Sequence, residues 1–242
     1  MLYGGVRLLD FHSHILPQMD DGSQSVAESV RMLQTLADAD VEYVALTPHF
    51  YAGVDSPESF LSRRCSSYAM LEEALLSCES RNMPALLLGA EVEYFEGIAV
   101  LDELSSFQIG DSRCLLLEMP PGPWTSRMVD DILELNNRPD CCVVLAHVER
   151  YLGDQSDETL QRLKQSGVTM QSNTAFFLNR WTVSKALRMY DHGLIHVLGS
   201  DCHNTSTRPP DIGRAAAVIA RRAGLETLKR MMNTARSLLV SE

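Results

Sequence analysis

His12 and His14 stand two residues apart in Asp10-Phe11-His12-Ser13-His14. If the strand continues through them, that spacing sends both imidazoles to one face. The same kind of residue recurs where other short apolar runs end, in Thr47-Pro48-His49, Gly89-Ala90-Glu91, Leu117-Glu118, Ala146-His147 and Gly199-Ser200-Asp201-Cys202-His203. Taken singly each has an ordinary reading: an HxH pair on an exposed strand is commonly incidental, and Glu91 or Glu118 alone could be a salt bridge. Together they form a mixed imidazole and carboxylate set that suits Mn, Fe or Zn rather than Ca or Mg, and that holds more donors than one ion can use. Carboxylates can bridge two ions about 3.5 to 4 Å apart, the arrangement that clamps the attacking and leaving oxygens of a phosphoester. His192, just before Gly193, reads as a helix C-terminus, and His196 as a strand histidine with no partner in sequence. Asp20-Asp21-Gly22 reads as turn chemistry.

For residues so far apart in sequence to meet, the chain must bring strand ends together. Strand-like runs lie near residues 7–12, 43–47, 85–90, 114–118, 142–146, 168–172 and 195–199, continuous in apolar character as buried parallel strands are. Helical patterns separate them, at 26–39, 57–79, 124–136, 157–166, 182–191 and 211–223. The first places Val26, Val30, Leu33, Leu36 and Ala37 on one stripe behind a capping box, Ser25-Val26-Ala27-Glu28, and Gly167 and Gly193 are helix stops. Alternation implies right-handed crossovers, and seven units without a switch in order favour a closed (β/α)7 barrel over an open doubly wound sheet. Either architecture gathers reactive groups at the C-terminal ends of its strands. The sixth strand, ending near Asn173, contributes no ligand type.

The length of 242 residues and 45% apolar content suffice for one such barrel or for two small domains. No linker, low-complexity tract or repeat marks a boundary, so a single domain over residues 1–242 is expected. The apolar runs are too short to span a bilayer, and the first residues carry no secretory signal pattern, which leads to a cytoplasmic expectation. Six cysteines without CxxC spacing read as reduced thiols rather than a zinc ribbon. A formal net charge of −11 argues against nucleic acid as a partner. Part of that acidity could be ligand charge, which bound cations would offset.

The segments Asp10-Phe11-His12-Ser13-His14-Ile15-Leu16-Pro17 with Asp20-Asp21-Gly22, Thr47-Pro48-His49, Gly89-Ala90-Glu91-Val92, Ala146-His147-Val148-Glu149-Arg150-Tyr151 and Gly199-Ser200-Asp201-Cys202-His203-Asn204 with Arg208-Pro209-Pro210 resemble the PHP (polymerase and histidinol phosphatase) superfamily. More narrowly they resemble the CpsB-type bacterial protein-tyrosine phosphatases, over almost the whole chain. The resemblance implies a distorted, TIM-like seven-stranded barrel with three divalent ions, usually manganese, with iron or zinc as alternatives. It implies one ion on His12, His14, Glu91 and Asp201, a second sharing Glu91 and adding Glu118 and His147, and a third on Asp21, His49 and His203. Asp21 enters the set only through the resemblance. Arg150 and Arg208 match the positions that grip phosphate, and His49 or His203 could assist the leaving tyrosyl oxygen. The implied substrate is a phosphotyrosyl protein, such as the tail of a bacterial tyrosine kinase that controls capsule or exopolysaccharide synthesis. Two departures stand out: Cys202 fills a variable place, and Phe176-Phe177-Leu178-Asn179-Arg180-Trp181 has no close match.

A different mechanism fits the same segment. Cys202 and Arg208 have the C-x5-R spacing of phosphatases in which a thiolate attacks phosphorus. Against it, no glycine lies between them to let the backbone wrap an anion, and Asp201 beside the thiol would raise its pKa. Other readings are a small-molecule phosphomonoesterase of histidinol-phosphatase type, a nuclease-like relative, which the acidity disfavours, and a non-catalytic phosphotyrosine-binding regulator, which should have lost ligands.

Overall fold

The computed structural model describes residues 3–78 and 82–240. Its apolar runs become nine parallel strand segments: Leu8–Asp10 (β1), Val41–Leu46 (β2), His49–Phe50 (β3), Ala85–Leu88 (β4), Glu91–Glu93 (β5), Cys114–Glu118 (β6), Cys142–Leu145 (β7), Thr169–Asn173 (β8) and Val197–Gly199 (β9). They pair in the orders β1-β2-β4 and β3-β5-β6-β7-β8-β9. The nine segments are seven staves, because β2 runs on into β3 and β4 into β5. Pro48 interrupts the first of these, having no N–H for the ladder. Pairing nevertheless carries across both breaks, with Gly89 N–H on the Leu46 carbonyl at 2.9 Å and Glu91 N–H on the Pro48 carbonyl at 3.0 Å.

The sheet curls until its first and last staves meet. Phe11 N–H donates to the Leu198 carbonyl at 3.0 Å, Asp201 N–H to that of His12 at 2.8 Å, and His14 N–H to that of Cys202 at 2.9 Å. The barrel is distorted beside the split staves, where residues 109–110 fill the space between β4 and β6: Gly110 N–H reaches the Leu88 carbonyl at 2.7 Å and Ile109 N–H that of Cys114 at 2.9 Å.

Among the described residues eight α-helices surround the staves: Val26–Asp38 (α1), Pro57–Leu76 (α2), Ser126–Asn137 (α3), Asp157–Gln165 (α4), Thr174–Leu178 (α5), Val183–Asp191 (α6), Ile212–Ala223 (α7) and Leu225–Leu239 (α8). The Ser25 hydroxyl accepts from Glu28 N–H, as the capping box requires, but Glu28 reaches back to Gln24 N–H instead of that of Ser25. α2 stops at Leu76, short of the expected end, and Glu79 lies outside the described residues. Gly167 and Gly193, both at positive φ, end α4 and α6 in Schellman geometry, with Val168 N–H on the Leu163 carbonyl and Leu194 N–H on that of Met189. Several elements lie outside the helical patterns read from the sequence: the 3₁₀ turns Ile98–Val100 and Asp102–Phe107 that follow the stave ending at Glu93, the turn Val148–Tyr151, α5, and α8, a final helix packed on α7, β1 and β9. Among the described residues no helix is long and apolar enough to cross a membrane.

Candidate metal centre

Every ligand type expected at a strand end arrives at the C-terminal mouth of the barrel. Glu91 lies at the middle of the cluster. Its Oε2 is 3.0 Å from His12 Nε2, 3.2 Å from His14 Nε2 and 3.1 Å from His49 Nδ1, while its Oε1 is 2.9 Å from His147 Nε2. Glu118 adds Oε1 at 3.2 Å from His147 Nε2 and Oε2 at 3.7 Å from His49 Nδ1. Asp201 Oδ1 lies 3.4 Å from His14 Nε2 and 3.6 Å from His12 Nε2. At the outer edge Asp21 Oδ1 is 3.3 Å from His203 Nε2 and 3.7 Å from His49 Nε2, on a side chain still 67% exposed. Donor atoms held about 2.1 Å from a common ion stand roughly 3.0 to 3.5 Å from one another, which is close to the spacing found here. Three sets have ligand atoms all within 4.8 Å of one another: His14, Asp21, His49 and His203; His12, His14 and Asp201; and His49, Glu91 and Glu118.

The imidazoles are oriented as ligands are. His14 Nδ1 faces Asp20 Oδ2 at 2.7 Å, His203 Nδ1 faces the Asp201 carbonyl at 2.9 Å, His12 Nδ1 faces Gln171 Oε1 at 3.3 Å and His147 Nδ1 faces the Tyr151 hydroxyl at 3.4 Å. A proton on each Nδ1 leaves the four Nε2 lone pairs pointing inward, the usual second layer of support behind metal-binding histidines. Three inward atoms, His49 Nδ1, Glu91 Oε2 and His203 Nε2, are buried without a hydrogen-bond partner, and such orphans are rare unless an ion or water satisfies them. Two of the clustered residues, His147 and Asp201, hold left-handed backbone (φ 33° and 53°), a strained conformation of the kind found at functional sites.

Charge in the cluster is unbalanced without cations. Burial works against a proton on His14, yet Asp20, Asp201 and Glu91 hold that imidazole well above its ordinary range. Burial likewise opposes charge on His147, and Glu118 and Glu91 raise it to about 9. Burial pushes Glu91 upward, and His12, His14 and His147 outweigh it and drive the carboxyl well below its usual range. His49 is lowered, chiefly by burial, and burial together with the charges of His14 and Arg208 takes His203 down to about 4. Protons on His14 and His147 stand in for cations, while His49 and His203 keep free lone pairs. The donor set fits divalent ions.

The second layer held most of what the sequence did not reveal. Asp20, passed over in favour of its neighbour, accepts from His14 and from the backbone N–H of His49 and Gly22. On the sixth stave, where no ligand type is expected, Gln171 Oε1 accepts from His147 N–H at 2.7 Å, and Asn173 Nδ2 donates to Asp201 Oδ2 at 2.6 Å. A signal was present: Gln171 is a polar residue in a strand buried on both faces. Arg150 and Arg208 come to the mouth as expected, both donating to Asp201 Oδ2, at 2.8 and 2.7 Å. His192 caps α6, and His196 Nδ1 accepts from Met170 N–H, away from the cluster.

The thiol reading fails on geometry. Cys202 is fully buried, and burial with the nearby Asp10 and Asp201 charges pushes its thiol well above the ordinary value. The loop's backbone donors are already used, since Asn204 Oδ1 accepts from Ser206, Thr207 and Arg208 N–H at 2.9, 2.7 and 3.2 Å.

A parallel barrel with a histidine and carboxylate cluster at its mouth defines a metal-binding hydrolase-like scaffold. Residues 8–240 match the family model for capsular polysaccharide synthesis, CpsB/CapC, and the chain belongs to that family. It is 26% identical over 238 residues to the tyrosine-protein phosphatase CpsB of Streptococcus pneumoniae, covering 93% of this chain and 94% of that protein. It is also 26% identical over 238 residues to the tyrosine-protein phosphatase YwqE of Bacillus subtilis (strain 168), covering 96% and 91%. A solved structure from work on YwqE and CpsB, described as unique metal-dependent tyrosine phosphatases, superposes with a TM-score of 0.82 at 24% identity, over 96% of this chain and 94% of that one. A chain of an archaeal ribonuclease P shares the fold more distantly, with a TM-score of 0.59 at 11% identity.

Proposed function

We propose that this chain is a metal-dependent phosphomonoesterase that hydrolyses phosphotyrosine in proteins. The observation that carries this reading is the convergence of His12, His14, His49 and His147 on the two oxygens of Glu91, with two arginines at the same mouth. In this reading His12, His14, Glu91 and Asp201 hold one ion, Glu91, Glu118 and His147 a second, and Asp21, His49 and His203 a third. Manganese is the proposed metal, and the donor types also accept iron or zinc. Divalent ions there supply Lewis acidity that makes water nucleophilic near neutral pH and offsets phosphoryl charge.

The protein's own groups do the rest. Arg150 and Arg208 share one Asp201 oxygen, which fixes both guanidiniums and leaves further N–H groups to grip the equatorial phosphoryl oxygens. A tyrosyl leaving group, with pKa about 10, departs with less protonic help than an alkoxide needs. Burial lowers His49 and, with the charges of His14 and Arg208, takes His203 down to about 4, which favours the neutral rings that ligation needs; both are proposed to line the leaving side. The proposed physiological substrate is the tyrosine-rich tail of a bacterial kinase that controls capsule export, met in the cytoplasm by a one-domain enzyme. The tyrosine-protein phosphatase names of the relatives support a phosphotyrosyl protein as substrate, and the family's capsular polysaccharide description supports the link to capsule.

Protein purified without added metal, assayed for bound metals and for turnover of a phosphotyrosyl peptide and of histidinol phosphate, tests the reading. Turnover of the peptide that chelator abolishes and manganese restores is expected. Full activity in chelator overturns it, preference for histidinol phosphate points to the small-molecule enzyme, and binding without turnover points to the regulator.

A further inference from the structure

We infer that the cleft along the Asp21 and His49 edge of the cluster seats the aryl ring of the substrate, and that Tyr51 and Val54 set a preference for aryl over alkyl phosphomonoesters. The inference rests on the phosphomonoesterase reading above. The cleft has a volume of about 520 Å³ and runs from Asp21 and His49 to Met19, Tyr51, Val54 and Arg63. It therefore shares two residues with the cluster, while Arg150 and Arg208, which pair with Asp201 and Glu118, are not among its walls. A phosphoryl group gripped by the arginines thus leaves the cleft free for its ester oxygen and whatever that oxygen carries.

The walls suit a flat apolar ring. The Tyr51 ring stacks on His49, with centroids 5.1 Å apart and planes 19° from parallel, so an aromatic surface leads outward from the cluster. Val54 is held at the rim with 85% of its surface in water, where a ring laid over it would remove apolar area from solvent. The cleft is also rigid. Val54 and Asp55 N–H both donate to the Tyr51 carbonyl, at 2.9 and 3.0 Å. Across the cleft Arg63 ties the two loops together, donating to the Met19 carbonyl at 3.2 Å and pairing with Asp55. Ser67 of α2 holds the Pro17 carbonyl at 2.6 Å. Walls fixed before binding lose little freedom when a ligand enters. Depth adds selectivity: Glu91, His147, Asp201 and His203 are buried, so phosphorus sits below the rim. The long, stiff phosphotyrosyl arm reaches it while filling the cleft, whereas a phosphoseryl arm is shorter and leaves the cleft empty.

The test measures binding, by calorimetry on the manganese-loaded full chain, of benzylphosphonate and methylphosphonate, neither of which is hydrolysed. Wild type should prefer the aryl ligand by about tenfold or more, the worth of one well-packed ring. Tyr51→Ala should remove most of that ratio, Val54→Asn should cut it by about threefold, and Tyr51→Phe should keep it. An unchanged ratio in both Tyr51→Ala and Val54→Asn overturns the inference. Should phosphotyrosine be turned over while the ratio ignores both substitutions, the cleft assignment alone is wrong. Should no phosphomonoester be hydrolysed while the ratio still depends on Tyr51, the cleft stands and the activity does not.

Discussion

Gln171 and Asn173, two apart on the same face of β8, are joined by a hydrogen bond from Nε2 of the first to Oδ1 of the second at 3.0 Å. Gln171 Oε1 meanwhile accepts from the His147 backbone and faces His12 Nδ1, and Asn173 Nδ2 holds Asp201. Three proposed ligands from three staves thus depend on two amides of a fourth.

Substitution at Asn173 should accordingly loosen metal binding. Asn173→Ala removes one of three donors from Asp201 Oδ2, and Asn173→Asp sets a second carboxylate against it. Affinity losses of about 10- to 100-fold are expected, larger for Asp than for Ala, read from chelator competition and bound-metal analysis. Wild-type affinity in both variants would refute the role.

The metal-free protein should lose stability in alkali. His147 is raised from 6.5 to about 9 in the folded state. Its contribution is therefore complete below about 6.5 and is lost as pH rises through 9. His203, lowered to about 4, acts in the opposite sense and destabilises the fold as pH falls below its unfolded value. Thermal melts in chelator should show Tm falling between pH 7 and 9.5. Metal binding at neutral pH should release protons, visible as buffer-dependent calorimetric heats. A flat Tm profile together with no proton release would contradict this picture.

Cys202→Ser should keep its turnover while losing about 1 kcal/mol of stability, because the side chain is buried and plays no part in the chemistry. A folded, metal-loaded variant without activity would restore the thiol nucleophile.

Gly199→Ala should be severe for so small a change. An added Cβ would stand 2.4 Å from the His12 Cβ and 2.9 Å from Gln171 Nε2. Overpacking of this kind costs about 1 to 3 kcal/mol. Here it should also displace His12, so bound metal should fall along with Tm; wild-type metal content would show that His12 has not moved.

The residues that meet at the barrel mouth were readable because they end apolar strands, and a strand end has a known address in a parallel barrel. Asp20 and Asp21 show where reading stopped. Both are acidic residues in one turn, and only the backbone path puts Asp20 under His14 and Asp21 at the solvent edge. Gln171 and Asn173 were obscured because strand periodicity tells which residues share a face but not what lies across from them. The stave breaks at Pro48 and after Leu88 had only Pro48 and Gly89 as local marks, and the 3₁₀ turns after Glu93 lack the length over which helical periodicity can be recognised.

Beyond the Phe11–Leu198 bond, the hydrogen bonds that join the first stave to the last run through His12, His14, Asp201 and Cys202, three of which are proposed ligands. The hoop is therefore buckled at the place where ions would sit, with His12 and His14 on one tongue of the buckle and Asp201 on the other. Ligands that bind only the folded state stabilise it by mass action, and here that gain would fall on the one joint where the chain's two ends of sheet must find each other. Loading the centre would therefore tighten the circle as well as equip the chemistry, so a cell short of the metal would hold the barrel's closure less firmly.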